Sequence, residues 1–158
     1  VQHREVREED LPQLIELPRT PEELFYCFPR AHFPLTVEQL RAGLAKRSDS
    51  TLIEKDGQPV AFANFYQWQD GICSIGNFIV AASARGQGVG DYLLRYLVDL
   101  AYRKHAAREI RVSCFNNNTR GLLFYSHRGF QPYAIEPRLD FSGEMAALIH
   151  FHLSREGS

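Results

Sequence analysis

The sequence predicts an α/β (α+β) fold: a single mixed, mostly antiparallel, twisted sheet of about seven strands with flanking helices. Three observations predict it. Asp56-Gly57 and Asp70-Gly71 each separate strand-like runs, the signal of tight hairpins between antiparallel neighbours. The runs Ile72 to Val80 and Glu109 to Phe115 are joined by a long helical pattern, and such a crossover makes parallel neighbours. A length of 158 residues, 44% hydrophobic and 23% charged, suits one domain with one substantial core.

The elements follow in order. Gln2 to Arg7 reads as a first strand. Asp10 is placed to cap a helix through about Leu17, with Pro12 tolerated in its first turn. Thr20-Pro21-Glu22-Glu23 is a capping box with proline at the first helical position. Thr36-Val37-Glu38-Gln39 is a second, opening a helix through about Lys46. Three strands in hairpin order come next: Thr51 to Lys55, Pro59 to Trp68 and Ile72 to Val80. Val89 to Lys104 keeps helical spacing through Val89, Leu93, Tyr96, Leu97 and Leu100. Glu109 to Phe115 alternates as a strand, and Asn116-Asn117-Asn118 breaks it. Thr119 to about Arg128 is a helix closed by Gly129. Two final strands, about Gln131 to Asp140 and Met145 to Leu153, meet at Ser142-Gly143.

Composition excludes some function classes. A net charge of -1 gives no general drive toward nucleic acid or an anionic membrane. Cys27, Cys73 and Cys114 are far apart and lack CxxC pairing, which argues against a disulfide framework or a thiolate zinc site. No leader-like run opens the sequence and no apolar run approaches membrane-spanning length, so a cytoplasmic location is expected. The first residue is Val1 rather than Met, as expected of a trimmed chain.

The chemistry concentrates in Arg85-Gly86-Gln87-Gly88-Val89-Gly90, between an apolar strand and a helix. Glycines at the mouth of a helix let backbone N–H groups converge on one anion at the positive end of the helix dipole. Arg85 adds a charge suited to phosphate oxygens. A nucleotide P-loop fails for want of Gly-Lys-Ser/Thr. A dinucleotide loop fails because the third glycine comes one residue early, and Ile110 and Arg111 stand where a ribose-binding acid is needed.

The pattern Arg85-x-x-Gly88-x-Gly90 after a strand ending at Val80 resembles the pyrophosphate motif of the GNAT N-acetyltransferase superfamily. A second segment, Asn118-x-x-Gly121-x-x-Phe124-Tyr125-x-x-x-Gly129-Phe130, resembles that family's Asn-x-x-Ala-x-x-Leu/Phe-Tyr-x-x-x-Gly-Phe. Gly121 departs by replacing the usual alanine, at about 1 kcal/mol of helix propensity, which close approach to a ligand and simple drift explain equally. Ala82 stands where proline is frequent.

The resemblance implies a GNAT-like sheet whose parallel strand pair splays apart to hold acetyl-coenzyme A as acyl donor, without a metal. It implies that backbone N–H groups of Arg85, Gly86, Gln87, Gly88, Val89 and Gly90 hold the pyrophosphate. Phe78, Ile79 and Val80 would pair by backbone with the pantetheine arm, and the Phe78 N–H would polarise the thioester carbonyl, an oxyanion-hole role. Tyr125 would protonate the leaving thiolate as general acid. Asn118 and Gly121 complete the cofactor-binding set, Asn118 doubling as a helix cap. Residues 1–47 are expected to form the acceptor side, 51–130 the cofactor-binding core and 131–158 the C-terminal strands.

The acceptor is less defined. Phe25, Tyr26 and Phe28, with Tyr66 across from them, suit a hydrophobic amine or a peptide end, and suit a core equally. No general base stands out, and Glu54, Asp70 or Tyr66 would have to work through water. His150 and His152 share a strand face, read as surface histidines rather than metal ligands. The expected activity is direct acetyl transfer to a primary amine of a small molecule or peptide, by a monomer or homodimer. A non-catalytic coenzyme A sensor and a protein N-terminal or lysine acetylase stay open.

Overall fold

The structure, a computed structural model, describes residues 1–154. The strands are β1 (Gln2–Glu5), β2 (Ser48–Lys55), β3 (Gln58–Gln67), β4 (Ile72–Val80), β5 (Glu109–Phe115), β6 (Gln131–Leu139) and β7 (Met145–Ser154). The α-helices are α1 (Leu11–Leu14), α2 (Pro21–Cys27), α3 (Val37–Leu44), α4 (Val89–His105) and α5 (Thr119–Ser126). The strands form one seven-stranded sheet in the order β1-β2-β3-β4-β5-β7-β6. Among the described residues only β4 and β5 run parallel, as the helical crossover through α4 requires. The Asp-Gly pairs turn as expected, with Asp56, Gly57, Asp70 and Gly71 all at positive φ, the geometry of tight hairpins. None of these helices is long and apolar enough to cross a membrane. The expected C-terminal segment, 131–158, ends in residues 155–158, which lie outside the described residues.

Two starts differ from the sequence reading, each for a local reason. Asp10 does not cap α1. It sits in helical conformation, and its buried carboxylate accepts from the Arg7 backbone N–H at 2.7 Å and from Arg4 at 2.7 and 2.8 Å. The chain therefore enters α1 through a 3₁₀ turn at Glu8–Asp10 and stops at Leu14. Strand β2 begins at Ser48, three residues before the apolar alternation. Asp49, at φ 57°, lets this polar segment pair onward through a bulge, and Lys104 and His105 of α4 hold its carboxylate at 2.6 and 2.7 Å. The caps of α2 and α3 form as expected, Thr20 and Thr36 accepting from the backbone of Glu23 and Gln39. Their partners do not reciprocate: Glu23 bonds the Arg19 N–H, and Gln39 bonds the backbone of His32 and Pro34.

Each sheet face carries its own apolar layer. On one side Leu93, Leu97 and Leu100 of α4 pack on Ile53, Phe65, Cys73, Ile75 and Ile110. On the other, Leu11, Leu14 and Leu40 cover Leu52, Phe62 and Ile79. Ile75 and Ile79 should share a face, since side chains alternate with period two. They face opposite layers because β4 carries a bulge between them. Phe62 pairs with Ile79 and Asn64 with Gly76, so Asn77 and Phe78 together oppose Ala63. One extra residue flips everything after it, turning Phe78 and Val80 toward the α4 layer.

Asn77 makes the bulge at φ 53°, a conformation asparagine tolerates better than most residues. Its side chain is buried and fully engaged. It accepts from Asn64 Nδ2 at 2.9 Å and donates to the Cys27 carbonyl at 2.8 Å, tying the bulge to β3 and to the end of α2. Replacing Asn77 by alanine should strand the Asn64 amide and the Cys27 carbonyl and strain the backbone, costing roughly 2–4 kcal/mol. Glycine should recover about 1 kcal/mol of that by relieving the positive φ. Urea denaturation of both variants checks the prediction, and equal stability of alanine and glycine would show that the backbone term is absent.

Candidate functional site

The parallel pairing of β4 and β5 stops early. Ile72, Cys73 and Ser74 pair with Glu109, Ile110 and Arg111, and beyond them the strands separate. A cleft of about 1260 Å³ opens there, running from the start of α4 past α5 to the loop after α2. Its walls include Phe78, Ile79 and Val80 on one side and Ser113, Cys114 and Phe115 on the other. Phe78 has no register partner on β3 or on β5.

At one end the glycine loop delivers α4. Gly86 and Gly88 are at φ 75° and 82°, and nothing lies within 4 Å of where their Cβ atoms would be, so conformation alone requires glycine there. Gly90 is different. It lies in the helix, and an added Cβ would sit 3.3 Å from the Phe124 ring and 3.4 Å from Val80. Close packing thus brings the helix start against β4 and α5. Arg85 lines the cleft, with one guanidinium nitrogen 3.8 Å from Glu23. The side chains of Gln87 and Val89 lie outside the walls: Gln87 bonds Lys55 and the Ser83 carbonyl, and Val89 is buried in the core. Arg120 and Arg128, absent from the sequence reading, also line the cleft, Arg128 at this end. Arg128 stacks 3.9 Å from the Phe124 ring centroid while bonding Asp91 at 2.9 Å.

The middle belongs to α5. Asn118 caps it, its Oδ1 accepting from the Gly121 N–H at 3.1 Å. An alanine Cβ at 121 would lie 2.7 Å from Cys114 Sγ and from Asn118 Nδ2. Contact with the chain's own β5 and cap is thus enough to account for Gly121. Tyr125 is 8% exposed and ringed edge-on by Phe78, Phe124 and Phe130. Burial, with a smaller contribution from the Cys114 sulfur, pushes its phenol well above the ordinary tyrosine range. No protein group bonds its hydroxyl among the described residues, yet no buried polar side-chain atom is left stranded, so the hydroxyl opens to the cleft.

The far end gathers side chains from both halves of the sequence. Tyr26, Phe28 and Tyr66 line it, and Tyr26 donates to the Asn117 carbonyl at 3.2 Å. Phe25 does not line it: its ring is buried and stacked on Phe115 at 4.3 Å. Of the bases considered from sequence, Glu54 is held by Arg4 on the outer strands, and Asp70 sits in the β3–β4 turn. The structure supplies another. Ser113 Oγ bonds His150 Nδ1 at 2.7 Å, and His150 Nε2 bonds Glu136 at 2.7 Å. Ser113 and His150 line the cleft. His150 and Arg138 hold the Glu136 carboxyl below the usual carboxylate range. His152 turns instead toward Glu109, 3.9 Å away. The cysteines are free and buried, and burial pushes the Cys27 and Cys114 thiols up to about 12, which leaves them unreactive.

These parts can hold one extended anionic ligand. A helix start with bare backbone donors suits a pyrophosphate, the unpaired stretch of β4 suits a strand-like arm, and a buried hydroxyl stands where that arm would end. A family model described as the acetyltransferase (GNAT) family matches residues 11–130. No match was found among curated proteins. Solved structures match over nearly the whole chain. Ribosomal-protein-alanine N-acetyltransferase from Brucella melitensis is 19% identical, covering 98% of this chain and 100% of its own, with a TM-score of 0.80. A GCN5-related N-acetyltransferase from Kribbella flavida is 26% identical, covering 98% and 97%, with a TM-score of 0.77. The yncA protein from Salmonella typhimurium, solved with its cofactor acetyl-CoA, is 16% identical, covering 99% and 95%, with a TM-score of 0.76.

Proposed function

Because the chain belongs to the GNAT acetyltransferase family, we propose that it transfers an acetyl group from acetyl-CoA directly to a primary amine of a small molecule or peptide. The observation that carries this reading is the meeting of the bulged, unpaired Phe78 with the cleft-facing Tyr125, ring centroids 6.1 Å apart. Bound in the cleft, acetyl-CoA supplies an acetyl group activated as a thioester. Arg85 and the backbone N–H groups of Gly86 to Gly90 would hold the pyrophosphate, with Arg120 and Arg128 adding charge. The backbone of Phe78, Ile79 and Val80 would pair with the pantetheine arm, and the Asn118 Nδ2, not used in the cap, is a further donor. The Phe78 N–H would stabilise charge developing on the carbonyl oxygen. In this division 51–130 form the donor half, and the acceptor half combines 1–47 with β6 and β7.

Two proton movements complete the reaction. Tyr125 Oη holds a proton and gives it to the departing sulfur. The attacking amine must lose one. Ser113 Oγ can accept it while passing its own to His150 Nδ1, because the bond from Nε2 to Glu136 fixes the tautomer that leaves Nδ1 free. Glu136 then faces an imidazolium and stabilises it.

Thiol release from acetyl-CoA across a panel of amines tests the reading, and no release with any amine counts against it. Tyr125→Phe should lower kcat roughly 100-fold with coenzyme A affinity nearly unchanged; equal loss of both would remove the acid role. Since burial raises the Tyr125 pKa, its proton is retained through the alkaline range, and kcat should show no fall from its loss below about pH 10. His150→Gln should lower kcat/KM most at low pH, the deficit shrinking as pH rises and the amine arrives neutral. A deficit independent of pH would mark His150 as structural.

A further inference from the structure

The far end of the cleft contains a cation with no counter-ion. Arg47 follows α3, lies half-buried, and lines the wall. Among the described residues it forms no ion pair. Its guanidinium donates to the neutral Asn64 Oδ1 at 3.1 Å and lies 5.3 Å from the Tyr66 ring centroid. It is seated directly on Gly76, where an added Cβ would collide with its Nη1. Gly76 is not at positive φ, so what glycine supplies there is room, both for the Arg47 guanidinium and for the Tyr66 ring, whose Cδ1 an added Cβ would meet at 2.8 Å. Gly76 also precedes the bulge, so the charge is fixed beside the stretch of β4 that includes Phe78. Burial lowers its pKa, Tyr66 opposes that, and Arg30 adds to it; no carboxylate acts on it.

Burying a guanidinium without an anion is costly, and a fold that does so needs the charge for something else. Its neighbours deepen the pattern. Arg30, His32 and Lys46 line the same end, and Arg30 and Lys46 likewise form no ion pair among the described residues. Two acids of this region are committed elsewhere: Glu23 faces Arg85, and Glu136 is shared by His150 and Arg138. Glu22 sits beside Tyr26, on whose phenol its charge acts. A polyamine or cationic peptide would meet repulsion here.

We infer that the acceptor is an amine that also carries a carboxylate, bound by the guanidinium of Arg47 on its Gly76 seat, with Arg30 beside it. This rests on the transferase reading above and names its substrate class. A planar guanidinium can take a carboxylate in two parallel bonds, fixing the amine's direction as well as its affinity. The Asn64 bond leaves other N–H donors of Arg47 for this purpose.

The test uses amino acids and dipeptides against their C-terminal amides. Acetyl-CoA thiol release gives kcat/KM for each pair. Calorimetry with the matching N-acetylated acids and amides, in the presence of coenzyme A, reads the anion contact without turnover. The carboxylate members should be favoured roughly 10- to 100-fold in both measurements. Arg47→Gln, which can still donate to Asn64, should bring the ratio near one with KM for acetyl-CoA unchanged, and Arg47→Lys should restore part of it. Equal use of acids and amides by the native chain overturns the inference and leaves the transferase reading intact. Carboxylate binding that Arg47→Gln abolishes, without thiol release from any amine, keeps the carboxylate site at Arg47 and overturns the transferase reading together with the acceptor role built on it. No carboxylate preference in binding, or a preference that survives Arg47→Gln, overturns the inference.

Discussion

Two hydrogen bonds of the Asn77 carboxamide, one accepted from Asn64 and one donated to the Cys27 carbonyl, hold the shape on which the rest of the molecule depends. They fix a left-handed residue in the middle of β4, so the strand gains one residue against β3 and reverses its faces. Before the bulge Ile75 packs under α4; after it Ile79 packs under α1 and α3, and Phe78 turns toward Tyr125. The bulge falls just after β4 stops pairing with β5. A strand that leaves its neighbour exposes backbone groups that must be satisfied by something. The protein thus keeps an unpaired edge inside its own sheet, beside the bulge that packing holds in place.

The same polar chain continues to the far end of the cleft. Arg47 donates to Asn64, Asn64 to Asn77, and Asn77 to the Cys27 carbonyl, so the acceptor-side cation and the bulge share one hydrogen-bonded path. Glycine serves this arrangement by its size at Gly76, Gly90 and Gly121, and by its φ at Gly86 and Gly88. The cleft is therefore polarised at both ends by cations and narrowed in the middle by aromatic rings. Under the reading proposed above, such a site takes a donor anionic at one end and an acceptor anionic at the other, with the neutral reacting groups between them.

Much of this was readable in the sequence. Strands β4 and β5 match their predicted bounds residue for residue, because Asp-Gly and the Asn116–Asn118 run punctuate them strongly. The glycine loop and the Asn118–Phe130 segment located the cleft because each is contiguous. The bulge was not readable, since Ile75, Phe78, Ile79 and Val80 are all apolar and hide a shift of face. The Ser113–His150–Glu136 chain was hidden for a topological reason. Its members lie on three strands, and only the insertion of β7 between β5 and β6 brings them together. Arg47 gave no signal because an isolated arginine after a helix is ordinarily solvated; what marks it is Gly76 beneath it, 29 positions later. Phe25 failed as an acceptor residue because aromatic composition cannot distinguish a pocket wall from the ring stacked behind it.

A crystal structure with coenzyme A bound tests most directly whether the bulge builds the reaction site. The pantetheine arm should lie along Phe78 to Val80 with its sulfur in hydrogen-bond reach of Tyr125 Oη, and Asn77 should keep its positive φ and both side-chain bonds. An arm lying elsewhere, or a β4 that straightens to pair with β5 beyond Ser74, would contradict it.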